Sequence, residues 1–287
     1  MRLGSIAALI ASTLTCTVHA QTQSAAIPTE LQQAMLLHAT FDSNLNADFG
    51  KGDKKLYTTK STELTDPVVG LQGTEIVHDK TGGRTGGCLH FTKKSPSFPF
   101  FKGEGNVPMP KKGEPFSGTF SFWMKLDPVK DLSPGFVDPI QITDKKWNDA
   151  SFFLDFTKDN PRQFRLGAYS NYKHWNPKAL KYDDIPDSKR PLGAITKLPF
   201  SNQKWTHVTF TWDKFNTGKP ADAVMYIDGK PAAKVKWDQQ YDWDPKKVGI
   251  MLGINYGGRI DEVSVFNKAL SARELQLLFR SPAAATK

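Results

Sequence analysis

Residues 118–126, Gly-Thr-Phe-Ser-Phe-Trp-Met-Lys-Leu, constrain the fold more than any other stretch of the chain. Phe120, Phe122, Met124 and Leu126 recur at every second position, with Thr119, Ser121, Trp123 and Lys125 between them. A period of two sends alternate side chains to opposite faces of an extended strand. It excludes an amphipathic helix, which needs a period near 3.6. Similar short runs at 34–41, 74–78, 88–92, 151–156, 163–169, 204–212, 223–227, 231–235, 248–254 and 258–266 are punctuated by Gly, Pro, Asn and Asp. That is the pattern of an antiparallel β protein. Asp228-Gly229 between two of these runs suits the positive φ angles of a tight hairpin. So many strands can each bury one face only if they stack as two sheets. One helix is expected, at the end. Ser271-Ala-Arg-Glu274 is a capping box, and Leu275, Leu278 and Phe279 form an apolar stripe behind it.

The first 20 residues carry the pattern of an export signal: Arg2, an apolar stretch from Ile6 to Leu14, and Val-His-Ala20 before the cleavage point. This predicts a secreted, periplasmic or extracellular protein. A polar leader is expected over 21–33, a folded domain over 34–280 and a loose tail over 281–287. Cleavage would remove Cys16 and leave Cys88, which excludes a disulfide framework or a four-thiolate zinc site. Cys88, at the head of a strand, reads as a small buried hydrophobe. No apolar run after the leader approaches the roughly 20 residues that span a bilayer. After cleavage 37 basic residues face 29 acidic ones, a net +8. With export this argues against nucleic acid as a partner and favours an anionic polysaccharide, a cell envelope or a sulfated glycan.

Several pieces in order, LLHATFD (36–42), GGRTGGCLHFT (82–92), GTFSFWMKLD (118–127), WTHVTFTWD (205–213), MYIDGKPAA (225–233) and GGRIDEVSVFNKALSARELQLLF (257–279), resemble a laminin-G-like domain of the concanavalin A-like lectin/glucanase superfamily. The segment 128–200 is longer and more irregular than that pattern. The resemblance implies an all-β fold, a two-sheet antiparallel jelly-roll sandwich with one short C-terminal helix. It also implies glycan binding on the concave face or rim loops, and a calcium ion in many members. Some relatives are enzymes and many are binding or adhesion modules, so fold alone does not decide function.

The chemistry expected from the residues is binding. Glucanases of this superfamily set carboxylates as Glu-x-Asp-x-x-Glu, and the chain has no such triplet. Asp155 stands alone in Ser-Phe-Phe-Leu-Asp-Phe-Thr, and Asp261 and Glu262, as strand neighbours, should point to opposite faces. The Gly82–Gly87 run lacks the Lys-Ser/Thr of a phosphate loop and reads as a wide turn. For metal, Asp42, Asn44, Asn46, Asp48 and Asp53 offer alternating oxygens of the kind Ca²⁺ prefers, although caps on their own turn are the simpler role. The resemblance adds Asp261 beside the first strand, so a structural Ca²⁺ is expected on Asp42 and Asp261. Two aromatic-polar clusters are ligand candidates. Tyr172 and Trp175, with Asn171, make the first; Trp237, Tyr241 and Trp243, with Asp238 and Asp242, make the second. Trp147-Asn-Asp149 is a weaker third, while Trp205, Trp212 and His207 read as structural. The expected function is a non-catalytic, lectin-like carbohydrate-binding module. The alternatives are an envelope or adhesion protein that binds another protein, and a glycan-active enzyme.

Overall fold

The structure is a computed structural model that describes residues 27–281; the export signal and most of the tail lie outside the described residues. Two antiparallel sheets stack face to face. The first runs in the order β15 (Lys230–Asp238), β14 (Pro220–Ile227), β13 (Thr206–Phe215), β8 (Phe116–Lys125), β17 (Gly258–Phe266), β1 (Met35–Ala39) and β2 (Phe49–Gly50). Beside the start of β17 it also holds β6 (Cys88–Phe91) and β5 (Ile76–Asp79). The second runs in the order β12 (Leu192–Ile195), β11 (Phe164–Tyr169), β10 (Ser151–Phe156), β9 (Val137–Thr143), β16 (Gly249–Ile254), β7 (Phe98–Lys102), β3 (Tyr57–Thr59) and β4 (Val68–Val69). Short helices α1 (Thr29–Gln32) and α2 (Tyr172–Trp175) precede α3 (Ala272–Arg280), the longest helix among the described residues.

Alternation decides which side chains fill the layer between the sheets. Phe120, Phe122 and Met124 of β8, Val208, Phe210 and Trp212 of β13, and Phe152, Leu154 and Phe156 of β10 point inward and are fully enclosed. Burying one such ring or branched side chain contributes about 1.5–3 kcal/mol. Asp228 and Gly229 both take positive φ, +49° and +70°, as the β14–β15 hairpin requires.

The outward faces are built differently. On the first sheet α3 lies across the outer side of β8 and β13, and its capping box is complete: Ser271 Oγ accepts from the Glu274 N–H, and Glu274 accepts from the Ser271 N–H at 2.8 Å. Phe279 stacks on Trp123 with centroids 5.8 Å apart, while Leu275 and Leu278 bury against Met35 and Phe266. The end of the predicted polar leader joins this cluster: Ile27, just before α1, and Leu31 within it are buried there against the apolar stripe of α3. Among the described residues no helix covers the outer face of the second sheet as α3 covers the first. Helix α2 and the segment after it bring Trp175 and Ile185 onto Phe153 and Tyr169 at one side, and Tyr57, Phe98, Phe100 and Met251 cluster at the other. Between these two apolar islands lies a cleft.

Candidate functional site

The cleft has a volume of about 350 Å³ and a floor of four strands. In register across the sheet stand Ile254 of β16, Asp138 of β9, Asp155 of β10 and Arg165 of β11. The β9–β10 ladder slips here. Leu154 faces Ile140 and Phe156 faces Val137, so Asp155 is opposed by both Asp138 and Pro139. Pro139 has no N–H to give the ladder, and a bulge is where a strand accommodates it. The bulge turns Asp138 toward the same cleft as Asp155. One row further along, Gln141 faces Phe153, whose ring lies over Gly167. A Cβ on Gly167 would come within 2.3 Å of that ring, so the glycine makes room for it.

Arg165 grips Asp155 with a two-point fork, Nε donating to Oδ1 at 2.8 Å and Nη2 donating to Oδ2. Both partners are largely enclosed. Burial raises the Asp155 carboxylate above the usual range, and Arg165 opposes that rise. Asp138 has no such partner among the described residues. Burial, followed by the Asp155 charge, pushes it well above the usual carboxylate range, and the Arg165 charge opposes that rise. Gln141 is 2% exposed, and the only partner of its amide among the described residues is the Met251 sulfur at 4.0 Å. Two polar side chains with unused hydrogen-bonding capacity therefore line the cleft.

The wall is aromatic. Trp147, in the loop from β9 to β10, remains 40% exposed. Its ring is held edge-on by Tyr182, Tyr169 and Phe153, at centroid distances of 4.9, 5.8 and 6.1 Å. Tyr182 is fixed in turn by a hydroxyl contact with Tyr169 at 2.9 Å and by Arg190 stacked 4.2 Å from its ring centre. Phe136, half-exposed, Lys146 and Asp183 complete the rim.

The two aromatic clusters expected to carry a ligand meet in space but face inward. Asn171 N–H donates to the Gln240 carbonyl at 2.7 Å, and His174 Nε2 lies 3.2 Å from Asp238. Trp175, Tyr241 and Trp243 are only 7, 4 and 7% exposed. Trp175 Nε1–H donates to Asn148 O, Trp243 Nε1–H to Ala150 O and Tyr241 O–H to Ser151 O. These rings seal the 148–151 segment onto the sandwich and have no open face for a sugar, which corrects the expected stacking role. Tyr172 receives the Asn176 amide at 3.0 Å, Trp237 packs half-buried on the main core, and the exposed Asp242 accepts from the half-buried Lys145 ammonium at 2.5 Å. What the clusters do is hold the loop that displays Trp147. Trp212 and His207 are buried, as read from the strand pattern.

Asp155 is likewise not alone, because the strand that brings Asp138 beside it is interrupted in sequence by Pro139. Nor do Asp261 and Glu262 diverge. A register slip in β17 and φ +48° at Glu262 turn both toward the 82–87 loop. Asp261 Oδ2 accepts the Arg84 N–H at 2.6 Å, and the Arg84 guanidinium pairs with Glu262 at 2.7 Å while stacking 4.0 Å from the Trp123 ring centre. Asp42 accepts from the Gly87 N–H at 3.2 Å, so Asp42 and Asp261 converge on one loop. Burial above all raises both carboxylates, and Asp42 adds to the rise at Asp261. At this loop the Thr85 hydroxyl donates to Asp42, and both Asp261 oxygens accept backbone N–H groups, from Arg84 and Glu262. Among the described residues no three His, Cys, Asp or Glu side chains group as a metal site. Asn44, Asn46, Asp48 and Asp53 cap their own turn: Asp48 takes both the Thr40 N–H and its hydroxyl at 2.8 Å, and Asn46 takes the Leu56 N–H. Cys88 is buried, with its thiol pushed up to about 12, first by burial.

Residues 103–276 match a laminin G-type model described as the concanavalin A-like lectin/glucanases superfamily. The chain belongs to this superfamily. Its fold is similar to domain 4 of AbnA, a GH43 extracellular arabinanase from Geobacillus stearothermophilus solved in complex with arabinotriose. That likeness has a TM-score of 0.53 at 15% identity and covers 86% of this chain and 98% of that one. It is also similar to the binding domain of Botulinum Neurotoxin DC in complex with SialylT, with a TM-score of 0.53 at 14% identity. Here 88% of this chain matches 52% of that one, so it spans about half of the neurotoxin domain. A search of curated proteins returned no match. Similarity this remote establishes the fold. No helix among the described residues is long and apolar enough to cross a membrane.

Proposed function

We propose that this is an exported carbohydrate-binding protein whose sugar site is the cleft on the outward face of the second sheet. The observation that carries the reading is the pairing of a partly open Trp147 ring with a floor of under-used hydrogen-bonding groups, Asp138 and Gln141. Sugars present apolar C–H faces and a rim of hydroxyls, which suits an aromatic platform beside a few placed polar groups. The two solved neighbours in complex with arabinotriose and SialylT support this choice of ligand class. Trp147 is the platform, Asp138 and Gln141 hydrogen-bond sugar hydroxyls, and the Asp155–Arg165 pair holds the floor rigid. A structural Ca²⁺ between Asp42 and Asp261 belongs to the same proposal. It would offset the crowding of two raised carboxylates and fasten the 82–87 loop.

The test is glycan-array screening of residues 21–287, with and without chelator, for the parent protein and for Trp147→Ala and Trp243→Ala. Retention lost in Trp147→Ala supports the cleft, and unchanged retention overturns it. The second array member reports the buried cluster, where loss should track loss of folding.

One observation favours a second reading, a glycan-active enzyme: two carboxyl groups of different protonation tendency share one cleft. Pairs of this kind serve as acid and base in glycoside cleavage. The fork from Arg165 occupies both oxygens of Asp155, which argues for the binding reading. Release of reducing ends from a polysaccharide panel, abolished in Asp138→Asn, would decide for the enzyme.

A further inference from the structure

The opposite side of the molecule carries a second groove, of about 520 Å³, on the outer face of the first sheet where α3 no longer covers it. Its floor is one cross-strand row: His90 of β6 faces Arg259 of β17, and Arg259 faces Lys125 of β8. Two cations directly opposite on one face of a sheet destabilise each other. The imbalance is only partly relieved. Arg259 uses one N–H on Asp79 at 3.3 Å, and Lys125 makes no ion pair among the described residues. His90 is kept toward its neutral form, first by burial and then by Arg259. Lys93 and Lys130 stand at the rim, paired only loosely with Glu75 at 4.0 Å and Asp127 at 3.9 Å. Asp131, the one carboxylate lining the groove among the described residues, accepts the Asp127 N–H at 2.6 Å and is tied to its own turn. Asn202 and Gln203 bring amides to the far wall.

We propose that this groove binds the anionic group of a polysaccharide, a sulfate ester or a uronate carboxylate, through Arg259 and Lys125. A guanidinium fork beside an ammonium matches a planar or tetrahedral oxyanion. The amides of Asn202 and Gln203 are the groups that hydroxyls flanking such an anion require. The site is independent of the Trp147 cleft, since the two lie on opposite outer faces of the sandwich, and failure here leaves that reading untouched.

The test is affinity electrophoresis of the full chain in gels containing dextran sulfate, alginate or plain dextran. The expected result is retardation by dextran sulfate or alginate and none by dextran; which of the two retards identifies sulfate or carboxylate. Lys125→Gln with Arg259→Gln should weaken retardation at least about tenfold. Lys246→Gln with Lys247→Gln removes the same charge from an exposed turn and should leave retardation within about twofold. Lys125→Gln alone, which breaks no ion pair, should show the loss in a fully folded protein. Absence of retardation in either anionic gel, or an equal loss in the Lys246/Lys247 variant, would overturn the proposal.

Discussion

The outward faces of the two sheets differ in how polar side chains are used. On the first sheet Ser121, His207 and Thr209 lie under α3 and bond to one another, with Ser121 Oγ 2.7 Å from His207 Nε2, while His207 Nδ1 is left without a partner among the described residues. On the second sheet Asp138 and Gln141 lie beside a cleft with hydrogen-bonding capacity left over. Both faces are built by strands of the same periodicity. A helix that seals a face makes its polar groups structural, whereas loops that leave a gap make them available to a ligand. The contrast sets a sealed part of one face against an open cleft on the other, and substitutions can test the two apart.

The largest effect is expected at the floor of the cleft. Arg165→Ala strands the buried Asp155 carboxylate and should cost about 3–5 kcal/mol in urea denaturation. Replacing both members, Asp155→Leu with Arg165→Met, should restore most of that stability while abolishing glycan retention. If the double variant retains glycan, the floor is not part of the site. On the sealed face Leu275→Ala should cost about 2–4 kcal/mol by opening a cavity under α3. Its retention at temperatures where it is folded should match the parent; a loss would join the two faces that the contrast keeps apart.

Acid should act on the sealed side. His207 is brought down to about 3 from the usual 6.5, first by burial and then by Arg84. The unfolded chain therefore takes up a proton that the folded protein refuses. This contribution is complete above about pH 6.5 and is lost progressively as pH falls toward 3. His207→Gln should flatten that part of a melting-temperature profile, and an unchanged slope would remove His207 as its source. The smallest effect is expected at the α3 cap, where Ser271→Ala should cost about 1 kcal/mol.

How much could be read in advance also differs between the sheets. Strands β10 and β17 fall where the alternation puts them, Ser151–Phe156 and Gly258–Phe266, and the capping box of α3 is present as written. The strand β9 escaped because Pro139 interrupts Val137–Thr143, and with it went Asp138 and the neighbour of Asp155. The alternation Ile140-Gln-Ile142-Thr was the available signal. Buried aromatics misled for a physical reason: Trp175, Tyr241 and Trp243 lie outside strand periodicity, yet each finds a backbone carbonyl for its polar tip and can bury the rest. Sequence alone does not distinguish a ring that seals a loop from one that the loop displays, as at Trp147.

That ring offers the most direct test. Glycan retention of Trp147→Ala should fall by about tenfold or more, the loss of a stacking hot spot, with a melting temperature close to the parent's because the ring is already 40% exposed. A variant that melts like the parent and still binds glycan with undiminished strength would contradict the placement of the site on the second sheet.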